Sequence, residues 1–265
     1  ITLADIEAAE RRIRPTIHVT PCEFSETFTE LSGNPVYFKL ENLHMTGSFK
    51  ERGALNKLLQ MTPEERSRGV ILASAGNHAQ GVAYHAKRLG IRCIVYMPET
   101  APVTKVNATE RFGAEVRLHG NNFDEALAEA KRIGAAEGFV FVHAFDDPAV
   151  IAGQGTAGLE ILSQNPFVDA ILVPIGGGGL IGGIACAVKE TNPKIKVIGV
   201  QTARVPSMQA ALAKGEPVEV PPASTIADGI AVRRAGQETL PLVARYVDAV
   251  VTVEEEEIAS AILYL

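Results

Sequence analysis

The sequence predicts an α/β chain with two mostly parallel sheets, each covered by helices. Three observations carry this. From Val70 onward, short apolar runs alternate with amphipathic segments; the alternation pauses after Phe139 to Val142 and starts again near Pro148; and Gly90 and Gly113 fall where helix ends belong. Strands alternating with helices at this spacing are what βαβ units produce, and a glycine just past a helix adopts the left-handed conformation that closes it. The restart is the reason for expecting two sheets instead of one.

In chain order, Thr2 with Asp5 can cap a first helix whose Leu3, Ile6 and Ile13 roughly share a face, and Pro15 stops it. A strand over Val36 to Leu40 leads through Glu41-Asn42-Leu43-His44-Met45 to a helix that carries Lys50. Next come a strand at Val70 to Leu72, a helix from Asn77 to Leu89, a strand from Ile91 to Met97 and a helix after Pro102. A strand from Glu115 to Leu118, a helix from Asp124 and a strand from Phe139 to Val142 complete the first unit. The second unit has a helix from Pro148 to Ser163, a strand from Ala170 to Ile175, a helix ending near Glu190 and a strand from Ile195 to Val200. A proline-rich loop at Pro217 to Pro222, a turn at Asp228-Gly229, a helix near Gln237 to Tyr246, a strand from Val247 to Val253 and a helix opening at Glu254 follow.

The 265 residues, 46% hydrophobic and 21% charged, have the composition of a water-exposed globular chain with a substantial core. A net charge of -6 without a Lys/Arg-rich run argues against nucleic acid and anionic membranes. Cys22, Cys93 and Cys186 lie far apart without CxxC spacing, so they read as reduced thiols outside any zinc site or disulfide framework. With no signal-like opening and no apolar run long enough to span a bilayer, the expected location is the cytoplasm.

Three stretches carry chemistry. In Thr46-Gly47-Ser48-Phe49-Lys50-Glu51-Arg52-Gly53-Ala54, Ser48 and Glu51 have capping-box spacing, which puts Lys50 in the first helical turn. The positive end of the helix favours a neutral amine there by roughly 0.3 to 1 kcal/mol; a solvated surface lysine is the alternative. Gly176-Gly177-Gly178-Gly179-Leu180 lies between a strand and a helix, where bare backbone can aim several NH groups at an anion. Gly177, Gly179 and Gly182 also satisfy GxGxxG, but the next strand ends Gly199-Val200-Gln201-Thr202, without the carboxylate that would hold a ribose. No Walker lysine follows the glycines. Ser74-Ala75-Gly76-Asn77-His78 also opens a helix, and reads as a carboxylate-binding loop or as N-capping by Ser74 or Asn77.

Ser48 to Ala54, Ser74-Ala75-Gly76-Asn77-His78-Ala79-Gln80-Gly81, Gly176 to Leu180, and Thr225-Ile226-Ala227-Asp228-Gly229 together resemble the threonine/serine dehydratase branch of the tryptophan-synthase-β-like, fold type II, pyridoxal phosphate enzymes. The resemblance runs over essentially the whole chain. It implies that pyridoxal 5'-phosphate bonds covalently to Lys50, packs beside Phe49, takes a hydrogen bond from Asn77 at its ring hydroxyl, and has its phosphate held by Gly176, Gly177, Gly178, Gly179 and the Leu180 amide. It places the substrate carboxylate on the Ser74-Ala75-Gly76-Asn77-His78 loop. It also implies a large domain of residues 1–67 and 147–265, a small mobile domain of 68–146, the cofactor in the cleft between them, and a homodimer or homotetramer.

The implied reaction removes water from L-threonine or L-serine, with Lys50 taking the Cα proton, and yields a 2-oxo acid and ammonia. Family members place a Ser or Cys against the pyridine nitrogen in a segment for which this chain has no counterpart before Leu265. A serine racemase of the same fold would have a serine at Ala75 and carboxylate metal ligands near Gln201 and Ser207, so dehydration without a metal is the expectation. A catalytically inert cofactor-binding protein is the remaining alternative.

Overall fold

The structure, a computed structural model, describes every residue from Ile1 to Leu265. Helix α1 (Leu3–Ile13) starts with the predicted capping box, the Thr2 hydroxyl taking the Asp5 NH and the Asp5 carboxylate returning to the Thr2 NH. An antiparallel ribbon follows, made of β1 (Cys22–Ser25) and β2 (Val36–Lys39) with helix α2 (Glu26–Ser32) between them. Helix α3 (Lys50–Leu59) and the short α4 (Pro63–Arg68) lead into the first parallel unit. This unit comprises β3 (Val70–Ala73), α5 (Asn77–Arg88), β4 (Cys93–Met97), α6 (Val103–Arg111), β5 (Glu115–Leu118), α7 (Phe123–Glu137) and β6 (Val140–Phe141). The second unit contains α8 (Pro148–Gln164), β7 (Ala170–Pro174), α9 (Gly179–Thr191), β8 (Lys196–Thr202), α10 (Ser207–Lys214), α11 (Thr239–Tyr246), β9 (Ala249–Val253) and α12 (Glu255–Ile262).

Two parallel sheets result, ordered β5-β4-β3-β6 and β7-β8-β9, as the strand and helix alternation predicts. Every residue of β3 and β4 is buried, as expected for central strands covered on both faces. The ribbon of β1 and β2 is a third, antiparallel sheet that the apolar pattern did not announce. Its Phe24 and Tyr37 point to solvent and stack edge to face at 5.4 Å between ring centroids. Helices α2, α4 and α10 were also unforeseen; α2 and α4 are short and bury no residue completely.

Helix α3 belongs to both units. Its Ala54 and Leu58 sit in the core of the first sheet, with Val70, Leu72 and Val82. Its other side lies against α8, where a Cβ added to Gly153 would stand 2.6 Å from the Arg52 carbonyl oxygen. On the α5 side, a Cβ on Gly81 would come within 3.2 Å of the Lys50 carbonyl carbon. Backbone therefore touches backbone on both flanks, and the position of Lys50 is set by two helices at once. No helix is long and apolar enough to cross a membrane.

Candidate active site

Lys50 is the first residue of α3, as the sequence predicts, but the expected cap does not form. Gly47, at φ 73°, turns the chain so that the Thr46 NH, not the helix start, meets Glu51, which accepts from it at 2.5 Å. The Ser48 hydroxyl is buried without a partner. The helix is held by packing and by this inward-turned glutamate, so the capping-box spacing was a coincidence of residue types.

The Lys50 side chain is half-buried, and its Nζ donates to the Ala144 carbonyl at 2.8 Å. Burial, with no carboxylate to offset it, lowers its pKa to about 8. Nearby, burial and then the Lys50 charge push His78 down to about 3. The imidazole is therefore neutral and donates its Nε2–H to the Val142 carbonyl at 3.0 Å. The ring is thereby tied into the packing while its backbone NH has no protein acceptor.

At the other wall of the same cleft the chain leaves β7 and enters α9 through the four glycines. Gly178 has φ 98°, a conformation that side chains other than glycine rarely adopt, and it caps α9. The amides of Gly176, Gly177, Gly178, Gly179 and Leu180 have no protein acceptor, although Gly177, Gly178 and Gly179 are buried. Unpaired buried NH groups are costly, and five free amides in succession at the positive end of a helix are the arrangement that can hold an anion. The outer side of the bend is tightly filled: a Cβ on Gly177 would lie 2.4 Å from the Phe145 ring.

One cleft brings Phe49, Lys50, Gly176, Gly177, Gly178, Gly179 and Leu180 together. Its walls also include Ala144, Phe145, Gln154, Ile230 and Val232, which the sequence had not marked. A backbone carbonyl such as that of Ala144 leaves no trace in a sequence. Gln154 did leave one, as a polar side chain between two glycines in an apolar helix; it is buried, and its Oε1 accepts from the Gly53 NH at 3.2 Å.

The Ser74 to His78 loop does not line this cleft. It opens α5 one turn before Gly81, the residue that rests on the Lys50 backbone. Neither Ser74 nor Asn77 caps α5: Gly76 holds the cap position, and the Ser74 hydroxyl accepts only from the Gly76 NH at 3.2 Å. The capping alternative therefore fails, and the Asn77, His78 and Ala79 amides are left without protein acceptors. The molecule thus offers one amine of lowered pKa, a run of free glycine-bend amides in the same cleft, and a second set of free amides on the adjoining helix. Such a set can capture an aldehyde that carries a phosphate.

Residues 13–265 match the family described as pyridoxal-phosphate dependent enzyme. An L-threonine ammonia-lyase of Thermotoga maritima is 52% identical over all of this chain and 66% of its own length, and one of Geobacter sulfurreducens is 54% identical over 98% of the chain and 65% of its own. The chain thus spans about two thirds of the length of these curated relatives. Among solved structures, processed threonine deaminase isoform 2 from Solanum lycopersicum superposes with a TM-score of 0.95 at 38% identity, over 99% of this chain and 76% of that one. Maize serine racemase also reaches 0.95, at 35% identity, over 99% and 79%. By the family match over residues 13–265 and the shared fold, the chain belongs to the pyridoxal-phosphate dependent enzymes of fold type II.

Proposed function

We propose that this chain eliminates water from L-threonine, and from L-serine, in a pyridoxal-phosphate-dependent reaction that gives 2-oxobutanoate or pyruvate and ammonia. One observation carries the reading: a lysine with a pKa of about 8 shares a cleft with five unpaired amides in a chain 52% identical to an L-threonine ammonia-lyase. The amides suit a phosphate dianion, and the Lys50 amine suits an aldehyde held at the far end of the same ligand. When bound, the cofactor supplies a carbonyl that captures amines and a conjugated ring that accepts the electron pair of a Cα–H bond.

The chain's own residues do the rest. At pH 7 roughly one Lys50 in ten is neutral, against fewer than about one in a thousand for an ordinary lysine, so Nζ can take a proton from the substrate Cα and return one. The Ala144 carbonyl fixes the direction of that amine. Phe49, whose ring centroid is 5.2 Å from Nζ, supplies an apolar flank. The loop of Ser74, Ala75, Gly76, Asn77 and His78 is assigned to the substrate carboxylate, with the free Asn77 and His78 amides as its donors and Asn77 also assigned to the cofactor ring. Residues 68–146 are assigned to a small domain that closes over the rest, excluding water from the cleft.

The test is a visible absorbance spectrum followed by a 2-oxo acid assay on L-threonine and L-serine, with Lys50→Ala as control. Colour and ammonia release from the wild type, both lost in the variant, are expected; a colourless wild type would sink the reading. Serine racemisation is the second reading, favoured by the maize racemase likeness. Against it, Ala75 offers no second acid or base, and Gln201 is buried and tied to Ser207 and the Gln209 NH. Chiral chromatography of serine after incubation separates the two. A yellow protein that releases no ammonia would instead be an inert cofactor binder.

A further inference from the structure

The glycine bend is held from behind by Thr239, Gly236 and Asp146, none of which lines the cleft. The Thr239 hydroxyl, at the first residue of α11, donates to the Gly177 carbonyl at 2.6 Å. The Gly236 NH reaches the same carbonyl at 3.3 Å and the Thr239 hydroxyl oxygen at 3.1 Å. Asp146 takes the two amides just before α11, that of Gln237 at 3.0 Å and that of Glu238 at 2.8 Å. Residues 144 to 146 are one short run of chain: Ala144 accepts from Lys50 Nζ, and the Phe145 ring faces Gly177. The Asp146 NH is itself anchored on His143 Nδ1 at 2.8 Å.

Gly177 therefore sits between an aromatic ring on one side and a hydroxyl that fixes its carbonyl on the other. The same segment also sets the direction of the reactive amine. A peptide plane cannot turn its NH without turning the carbonyl on its other face, so fixing the Gly177 carbonyl fixes the NH of Gly178 in that plane. Asp146 makes the brace close, because its carboxylate joins the Lys50 side of the cleft to α11 across 91 residues of sequence.

We propose that Thr239 and Asp146 are positioning residues that aim the glycine-bend amides at the cofactor phosphate in register with Lys50. This deepens the pyridoxal phosphate reading of the cleft and rests on it. Neither side chain lines the cleft. Their effect is felt in cofactor affinity, through the pointing of amides that a loose bend would let wander.

The experiment titrates the cofactor-stripped protein with pyridoxal phosphate, reading the visible absorbance and the dissociation constant, and records thermal unfolding of each variant. Thr239→Val and Asp146→Ala are each expected to weaken binding about tenfold, the scale of a buried partner lost. Thr239→Ser, which keeps the hydroxyl, is expected to stay within about twofold of the wild type. Because both residues serve one brace, the double variant is expected to fall short of the product of the two losses. Val243→Ala, a core truncation on the same helix, is expected to lower the unfolding temperature while leaving affinity alone, since Val243 is 1% exposed and packs in the core. Wild-type affinity in Thr239→Val, equal weakening in Thr239→Ser, or equal weakening in Val243→Ala would overturn the proposal. If the wild type itself takes up no pyridoxal phosphate, the reading of the cleft fails, an outcome separable from failure of the brace alone.

Discussion

At Lys50 the burial effect exceeds the helix dipole that first drew attention to the residue. The dipole is worth at most about 1 kcal/mol. Lowering an amine from 10.5 to about 8 corresponds to roughly 3 kcal/mol, so enclosure by α5, α8 and the Ala144 segment does most of the work. Only the neutral amine attacks an aldehyde. Uptake of pyridoxal phosphate by the cofactor-free chain is therefore expected to quicken about tenfold per pH unit below 8 and to level off above it. Stopped-flow absorbance across that range checks this, and a break near 10.5 would show Lys50 to be an ordinary solvated lysine. Gly177 makes a second prediction at this scale. Gly177→Ala drives a methyl group into the Phe145 ring, 2.4 Å from the new carbon. Overpacking of this kind costs about 1 to 3 kcal/mol, here paid in the aim of the bend, so affinity for pyridoxal phosphate is expected to drop at least about tenfold while the circular dichroism spectrum is unchanged.

At the scale of elements, α3 is seated by Arg52, which is completely buried two residues after Lys50. Its guanidinium donates to Glu41 at 2.7 and 2.8 Å, to both oxygens of Glu160 at 2.7 Å, and to the Thr156 hydroxyl at 3.1 Å. Lys39 adds a contact to Glu160 at 2.6 Å. Burial pushes both carboxyls up, but the hydrogen bonds and charge of Arg52 outweigh it and hold them below the usual range. Arg52→Met strands two carboxylates and is expected to cost about 3 to 5 kcal/mol at pH 7. The sign with pH follows. In the wild type this stability is complete above the unfolded value of 4.5 and is lost as pH falls toward the folded values. The variant lacks the contribution already, so the gap between the two denaturant melts is expected to narrow from pH 7 to pH 3.5. A gap that stays constant would show that Arg52 acts through packing alone.

The same scale shows what could be read from residue order. Thr2 and Asp5, the runs forming β3 to β5, and the glycines before α9 were legible because local chemistry and tertiary structure agree there. Ser48 and Glu51 misled because Glu51 found the Thr46 amide, a choice made by the Gly47 turn. The ribbon of β1 and β2 was silent because its strands are four residues long and half exposed. Of the cleft lining, Phe49, Lys50 and the glycine run were legible, whereas the Ala144 carbonyl and the brace behind Gly177 arise only when chain segments nearly a hundred residues apart meet.

For the whole molecule, the question is what holds the two parallel units in register across the cleft. Beyond α3, two ion pairs bridge them. Lys105 of α6 meets Asp228 at 3.1 Å, and Asp124 of α7 meets Arg233 at 3.5 Å. Both partners on the second unit flank Gly229, Ile230 and Val232, which form part of the cleft wall. All four side chains are more than a third exposed, and Arg233 is shared with Glu219, so each pair is worth no more than about 1 kcal/mol and is weakened by salt. Contacts this weak cannot lock the units together. They are well suited to bias the proposed closure of residues 68–146, since 1 kcal/mol shifts a two-state population by about fivefold. Raising salt from 0.05 to 0.5 M is therefore expected to raise the KM for L-threonine by less than about fivefold with little change in kcat. The double variant Asp228→Asn, Asp124→Asn is expected to show the raised KM at low salt and to respond little to further salt. A salt response that survives in the double variant would place the electrostatic bias outside these two ion pairs.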